Sequence, residues 1–105
     1  MKTLTEVGIR KQLERMRDSL DYATYLLGGV KEQVSIYRVE INKDTIKIYV
    51  YLDSTVSGTV KNISLVDRDG DVIAIAERQF TKPVTKGIYS VFAYQLVEVE
   101  RPDTD

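Results

Sequence analysis

Apolar positions near the start of the chain recur at spacings of four and three: Ile9, Leu13, Met16, Leu20, Ala23 and Leu27. That spacing predicts an amphipathic helix over 4–27 with a heptad-type stripe on one side. Arg10, Lys11, Glu14, Arg15, Arg17 and Asp18 take the other faces. Thr3 and Glu6 stand at capping-box spacing, and Gly28-Gly29 supplies a left-handed stop after the last stripe residue. The stripe has two readings: it packs on the chain's own sheet, or it joins subunits in a short helical bundle. With fewer than three heptads, association would need help from the rest of the chain.

From Val30 onward the period changes to two. A strand is predicted over 34–41, with Tyr37, Val39 and Ile41 on one face and Val34 and Ile36 on the other. Asn42-Lys43-Asp44 reads as a tight turn, because Asn and Asp tolerate left-handed geometry and bond to their own backbone. The strand over 45–52 alternates cleanly, Ile46, Ile48, Val50 and Leu52 against Thr45, Lys47, Tyr49 and Tyr51. Strands over 59–66 and 71–78 flank Asp69-Gly70, a strong hairpin signal. The stretch 81–87 is expected to be a connection, since Pro83 cannot donate to a ladder. A last strand over 88–100 carries Tyr89, Val91, Ala93, Val97 and Val99 on one face and Ile88, Phe92, Tyr94 and Leu96 on the other. Such a strand calls for cover on both faces, from the helix, a second sheet or a neighbouring subunit.

The expected fold is therefore α+β: a helix in 1–29, an antiparallel β-domain of five strands (one sheet or a small sandwich) in 30–100, and a polar tail in 101–105. A length of 105 residues suits one domain. So small a domain has a modest core, which makes association a ready source of stability. Ile9, Leu13, Met16, Leu20, Leu27, Phe92, Tyr94 and Leu96 are the candidate interface residues.

Composition narrows the chemistry. A net charge of −1 without a basic run gives no electrostatic footprint for nucleic acid. No apolar run is long enough for a transmembrane helix. No secretion-type leader is recognisable, so synthesis in a cytoplasm is expected. Cysteine and histidine are both absent, which removes disulfides, thiolate sites and the usual general base. The serines have no histidine to activate them, no phosphate-binding glycine loop precedes a helix, and no carboxylate pair is placed for glycoside hydrolysis. Asp67, Asp69 and Asp71 superficially suggest a calcium loop. Gly70, however, comes fourth rather than sixth, and Arg78 stands where a bidentate glutamate is needed. A non-enzymatic protein without metal or cofactor is expected. Seven tyrosines and no tryptophan leave two readings: good strand formers, or a partly wet binding face formed by Tyr49 and Tyr51 beside Thr45 and Lys47. The second reading would make the chain a small ligand- or carbohydrate-binding β-module.

The run Val60-Lys61-Asn62-Ile63-Ser64-Leu65-Val66-Asp67-Arg68-Asp69-Gly70-Asp71-Val72-Ile73-Ala74, followed by Thr81-Lys82-Pro83-Val84 and Gly87-Ile88-Tyr89, resembles a pattern in bacteriophage tail-fibre and tail-collar proteins. The resemblance covers the chain from Thr59 onward. It implies a phage or prophage structural or adaptor protein, homo-oligomeric, docking to other virion proteins and located in the virion after synthesis in the bacterial host cytoplasm. No enzymatic residue carries over. The leading expectation is thus a non-enzymatic assembly protein acting through self-association or docking.

Overall fold

The computed structural model describes residues 2–99. Among these described residues one helix is followed by seven strands, all paired antiparallel, in two sheets. Helix α1 (Glu6–Ser19) starts at Thr5, whose hydroxyl accepts from Gly8 N–H at 3.0 Å. Glu6 in its first turn and Arg17 in its last suit the helix dipole. Thr3, expected to cap, is engaged elsewhere. Its N–H and hydroxyl donate to Glu98 Oε2 at 2.7 and 3.1 Å, and Leu4 N–H donates to Glu98 Oε1 at 2.7 Å.

The helix does not reach Leu27. Ser19 turns its hydroxyl back onto the Met16 carbonyl at 2.7 Å, and Leu20 is extended at φ −70°, ψ 140°. Strand β1 (Leu20–Leu27) follows directly. Its Tyr22, Thr24 and Tyr25 favour strand over helix, and Ala23, Tyr25 and Leu27 alternate with Tyr22, Thr24 and Leu26. Gly28 and Gly29, at φ +57° and +86°, therefore form a two-residue hairpin turn into β2 (Val30–Ser35), with Leu27 opposite Val30. A side chain at either glycine would have to enter left-handed backbone geometry.

The strand expected over 34–41 is two strands. β2 ends at Ser35, Ile36 and Tyr37 carry the chain across, and β3 (Arg38–Asn42) opens the other sheet. This change of sheet explains why Val34 and Val39 had opposite phase. β4 (Thr45–Leu52), β5 (Gly58–Asp67), β6 (Val72–Lys82) and β7 (Ile88–Gln95) complete the set. The first sheet has the order β2-β1-β5-β6 and the second β3-β4-β7, so seven strands replace the expected five.

Thr81 and Lys82 extend β6 opposite Thr59 and Gly58, leaving the connection to begin at Pro83. Lys82 is 1% exposed, and its ammonium donates to the carbonyls of Val56 (2.7 Å) and Pro83 (3.1 Å). The lysine thus ties the 53–57 loop to the end of β6. β7 stops at Gln95, and Leu96 N–H then donates to the Asp44 carbonyl at 2.8 Å. Position 100 and the polar tail at 101–105 lie outside the described residues.

A single buried cluster draws on every layer: Leu13 from the helix, Leu20, Ala23, Tyr25, Val60, Ile63 and Leu65 from the first sheet, Ile46, Ile48, Val50, Leu52 and Phe92 from the second. Asn62, at φ +54°, sits where β5 bulges against β1, Lys61 pairing with Leu26 and Ser64 with Thr24 so that β5 takes one residue more than its neighbour. The extra residue lets both Val60 and Ile63 reach the core despite their odd spacing. At the helix C-terminus, Arg68 N–H and Nε donate to the carbonyls of Ser19 (2.9 Å) and Asp18 (2.8 Å). Glu98 holds the approach to the helix N-terminus, so both ends of α1 are pinned. Among the described residues no helix is long and apolar enough to cross a membrane.

Two outcomes follow. Leu20→Ala removes a core side chain that is 6% exposed and should cost about 2–5 kcal/mol in denaturant unfolding; a loss under 1 kcal/mol would contradict the strand placement. The Glu98 carboxyl lies below its ordinary value of 4.5, chiefly because Leu4 and Thr3 N–H groups donate to it. A depressed folded pKa means the clasp stabilises above the ordinary value and is lost as pH falls through the folded one. Thr3 and Leu4 amide resonances should therefore titrate with a midpoint below 4.5, and Glu98→Gln should abolish that titration.

Candidate binding face

The second sheet turns Ile46, Ile48, Val50 and Leu52 inward, so the alternate residues of β4 cover its outer side. Pairing sets Tyr49 between Arg38 and Val91, and Tyr51 opposite Tyr89. Tyr37 joins them from the sheet-to-sheet crossing, because its N–H donates to the Tyr49 carbonyl at 2.8 Å. Four tyrosines thereby meet on one face. Ring centroids lie 4.6 Å apart for Tyr51–Tyr89, 5.4 Å for Tyr37–Tyr51, 5.5 Å for Tyr37–Tyr89 and 6.4 Å for Tyr49–Tyr89. Two of the contacts are edge-to-face, the arrangement the ring quadrupole favours.

Arg38 and Glu40 border the cluster. The Arg38 guanidinium lies 4.5 Å from the centre of the Tyr49 ring, within cation–π range, and its Nε meets Glu40 Oε1 at 3.1 Å. The Tyr49 hydroxyl donates to Glu40 Oε2 at 3.3 Å. The Tyr89 hydroxyl is pushed above its ordinary value of 10, first by its hydrogen bond with the Tyr37 hydroxyl. Tyr37 and Tyr89 remain about half exposed, at 53% and 51%, with Val91 on the same face. Rings held against one another have lost much of their rotational freedom before any partner arrives, which lowers the entropic cost of binding. The face offers apolar ring surface, phenol hydroxyls, one cation and one carboxylate. That set can stack and hydrogen-bond.

Gly87 shapes the edge of this face. A Cβ there would fall inside the van der Waals shell of the Tyr51 ring and hydroxyl. The glycine is needed for close approach and not for left-handed backbone.

The predicted interface residues separate. Leu13, Leu20 and Phe92 are buried in the chain's own core, and Ile9, Met16, Leu27 and Leu96 pack against it. The six stripe positions do not lie on one helix, because Leu20, Ala23 and Leu27 belong to β1. Tyr94, opposite the inward-facing Ile46, is 39% exposed and is not part of the four-tyrosine cluster. On β7, Tyr89, Val91 and Ala93 lie open, so the chain itself covers only one face of that strand.

Tyr49 and Tyr51 do meet, as their shared strand face requires. Tyr37 and Tyr89 were visible as strand tyrosines, but their convergence depends on a sheet crossing and a β4–β7 register that no local pattern encodes. Arg38 and Glu40 carried no signal beyond their alternation with Val39.

Two other places gather polar groups. The carboxylates of Asp67, Asp69 and Asp71 come within 4.8 Å of one another. Asp67 Oδ1 accepts the N–H groups of both Asp69 and Asp71 at 3.0 Å, so this carboxylate braces the β5–β6 turn. A cleft of about 530 Å³ lies between Glu6, Ile9 and Arg10 of the helix and Ile41, Lys43 and Asp44 of the β3–β4 hairpin. The Asp44 carboxyl is held below its usual range, first by a hydrogen bond from Gln95 Nε2 at 2.9 Å. Its lining combines two isoleucines with charged residues of both signs.

Compared with protein-family models, with curated proteins and with solved structures, the chain matches none.

Gly87→Ala should displace the Tyr51 ring while leaving the core intact. Tyrosine near-UV circular dichroism should change and far-UV ellipticity should persist; an unchanged near-UV band would show that the ring does not depend on the glycine.

Proposed function

We propose that this chain is a non-enzymatic assembly protein of the phage or prophage virion type, an adaptor that docks to another virion protein through its tyrosine-covered sheet face. In this reading the two sheets form a small β-sandwich whose role is to hold that face rigid. The observation that carries it is the convergence of Tyr37, Tyr49, Tyr51 and Tyr89, with half-exposed rings locked against each other and a charged border. Tyrosine is enriched where protein interfaces are partly wet, because one end of the side chain is apolar and the other polar. The resemblance of the β5–β6 region to tail-fibre and tail-collar proteins supports the virion setting. The near-neutral charge supports a protein partner over nucleic acid.

The same face favours one second reading, a carbohydrate-binding module. The C–H faces of a sugar stack on tyrosine rings, and Arg38 beside Glu40 offers a donor and an acceptor for neighbouring hydroxyls.

One experiment separates the two. The chain is co-expressed with the products of the genes flanking its own, and binding is quantified by calorimetry alongside a glycan array. The adaptor reading predicts stoichiometric co-purification of a flanking product. Tyr37→Ser combined with Tyr89→Ser should weaken that binding by about tenfold or more, the scale of a hot-spot pair, at an unchanged melting temperature. Glycan binding lost in the same double variant, with no flanking product bound, would overturn the adaptor reading in favour of the sugar.

A further inference from the structure

Each sheet has two edge strands, and unpaired backbone at an edge is a template for another strand. Charges guard two of the four edges: β2 carries Lys31 and Glu32, and β3 carries Arg38 and Glu40. The side chains of edge strand β7 supply part of the tyrosine face. Strand β6 differs. Among the described residues it pairs only with β5, and its first five residues, Val72-Ile73-Ala74-Ile75-Ala76, contain no charge and no proline. Val72, Ile73 and Ile75 are 57%, 40% and 51% exposed. The protections present are two register slips, at Ile73 opposite Val66 and between Ala76 and Gln79.

The sequence of this segment also selects its partner. Around Ala74 it reads nearly the same in both directions: Ile73 and Ile75 flank the centre, with Val72 and Ala76 beyond. An antiparallel copy centred on Ala74 places Ile73 opposite Ile75 and Val72 opposite Ala76, so aliphatic side chains meet aliphatic side chains throughout. The register is even, so Ala74, opposite the core residue Leu65, keeps its core side in both copies. Val72 lies on the outer side opposite Val66 and Ala76 on the core side opposite Ile63, so the bulge at Ile73 has to straighten before the outer pairs form. The side it would extend is mixed, since Ile75 shares its row with Ser64 and Thr24. Register puts Tyr22, Val66 and Val72 in one row on the side away from the core, with Ile75 in the next.

We propose that β6 pairs with β6 of a second copy about a two-fold axis at Ala74, joining the two four-stranded sheets into one continuous sheet. One unfavourable contact is built into this register: Asp71 falls opposite Glu77 of the second copy, and like charges directly opposed weaken a ladder. The pairing uses no residue of the tyrosine face and stands or falls separately from the adaptor reading.

Analytical ultracentrifugation over a range of concentrations, combined with single-cysteine crosslinking, tests it. The chain has no cysteine of its own, so an introduced thiol reports without background. Wild type should dimerise. Ile75→Lys should be monomeric with unchanged far-UV ellipticity, since Ile75 is half exposed, and Glu77→Gln should tighten the dimer by removing the opposed charges. Ala74→Cys should form a disulfide-linked dimer under mild oxidation, because directly opposed residues of an antiparallel pair lie within disulfide reach. Gln79→Cys on the same strand should not. Tyr37→Ser with Tyr89→Ser should leave the dimer intact. A strict monomer overturns the proposal, as does a dimer that survives Ile75→Lys or one that crosslinks at position 79 as readily as at 74.

Discussion

The placement of residues 20–27 between two other strands governs the rest of the molecule. β1 pairs with β2 on one side and β5 on the other, and Ala23, opposite both Val34 and Leu65, has no exposed surface at all. Only a strand fits there. Once Leu20, Ala23 and Tyr25 are committed to the core, the helix must end at Ser19. The stripe, which spacing alone left open to packing on the chain's own sheet or to a helical bundle, is then divided between α1 and β1 and packed within the chain.

The physics of side-chain period explains what could and could not be read in advance. β4 was legible because Ile46, Ile48, Val50 and Leu52 alternate with polar or amphipathic residues, and that alternation has no helical counterpart. The β5–β6 hairpin was legible from Asp69-Gly70. Leu20–Leu27 was not, because Leu20, Ala23 and Leu27 satisfy a four-three spacing while Ala23, Tyr25 and Leu27 satisfy a period of two. The tie was broken by pairing with β5, a partner some forty residues away. Gly28-Gly29 served both readings equally, as a helix stop or as a hairpin turn.

The candidate site shows the same division. Tyr49 and Tyr51 share a face by strand geometry, so their proximity followed from the sequence. Tyr37 and Tyr89 reach them only through the two-residue crossing at Ile36-Tyr37 and the β4–β7 register, both set by long-range burial. The molecule that results has one edge of each sheet carrying charges, at β2 and β3, and two exposed surfaces of different character. The tyrosine face is aromatic, hydroxylated and bordered by Arg38 and Glu40, which suits a partner with polar groups. The β6 edge is aliphatic and self-complementary, which suits a copy of itself. As proposed, the first would take a partner and the second a copy of the same chain.

The central claim is that residues 20–27 form an interior strand, and cross-strand nuclear Overhauser contacts test it most directly. The account predicts backbone contacts from Ala23 to Val34 and from Ala23 to Leu65. A ladder of helical i to i+3 contacts running unbroken from Glu6 through Leu27 would contradict it, and would return the stripe to the helix.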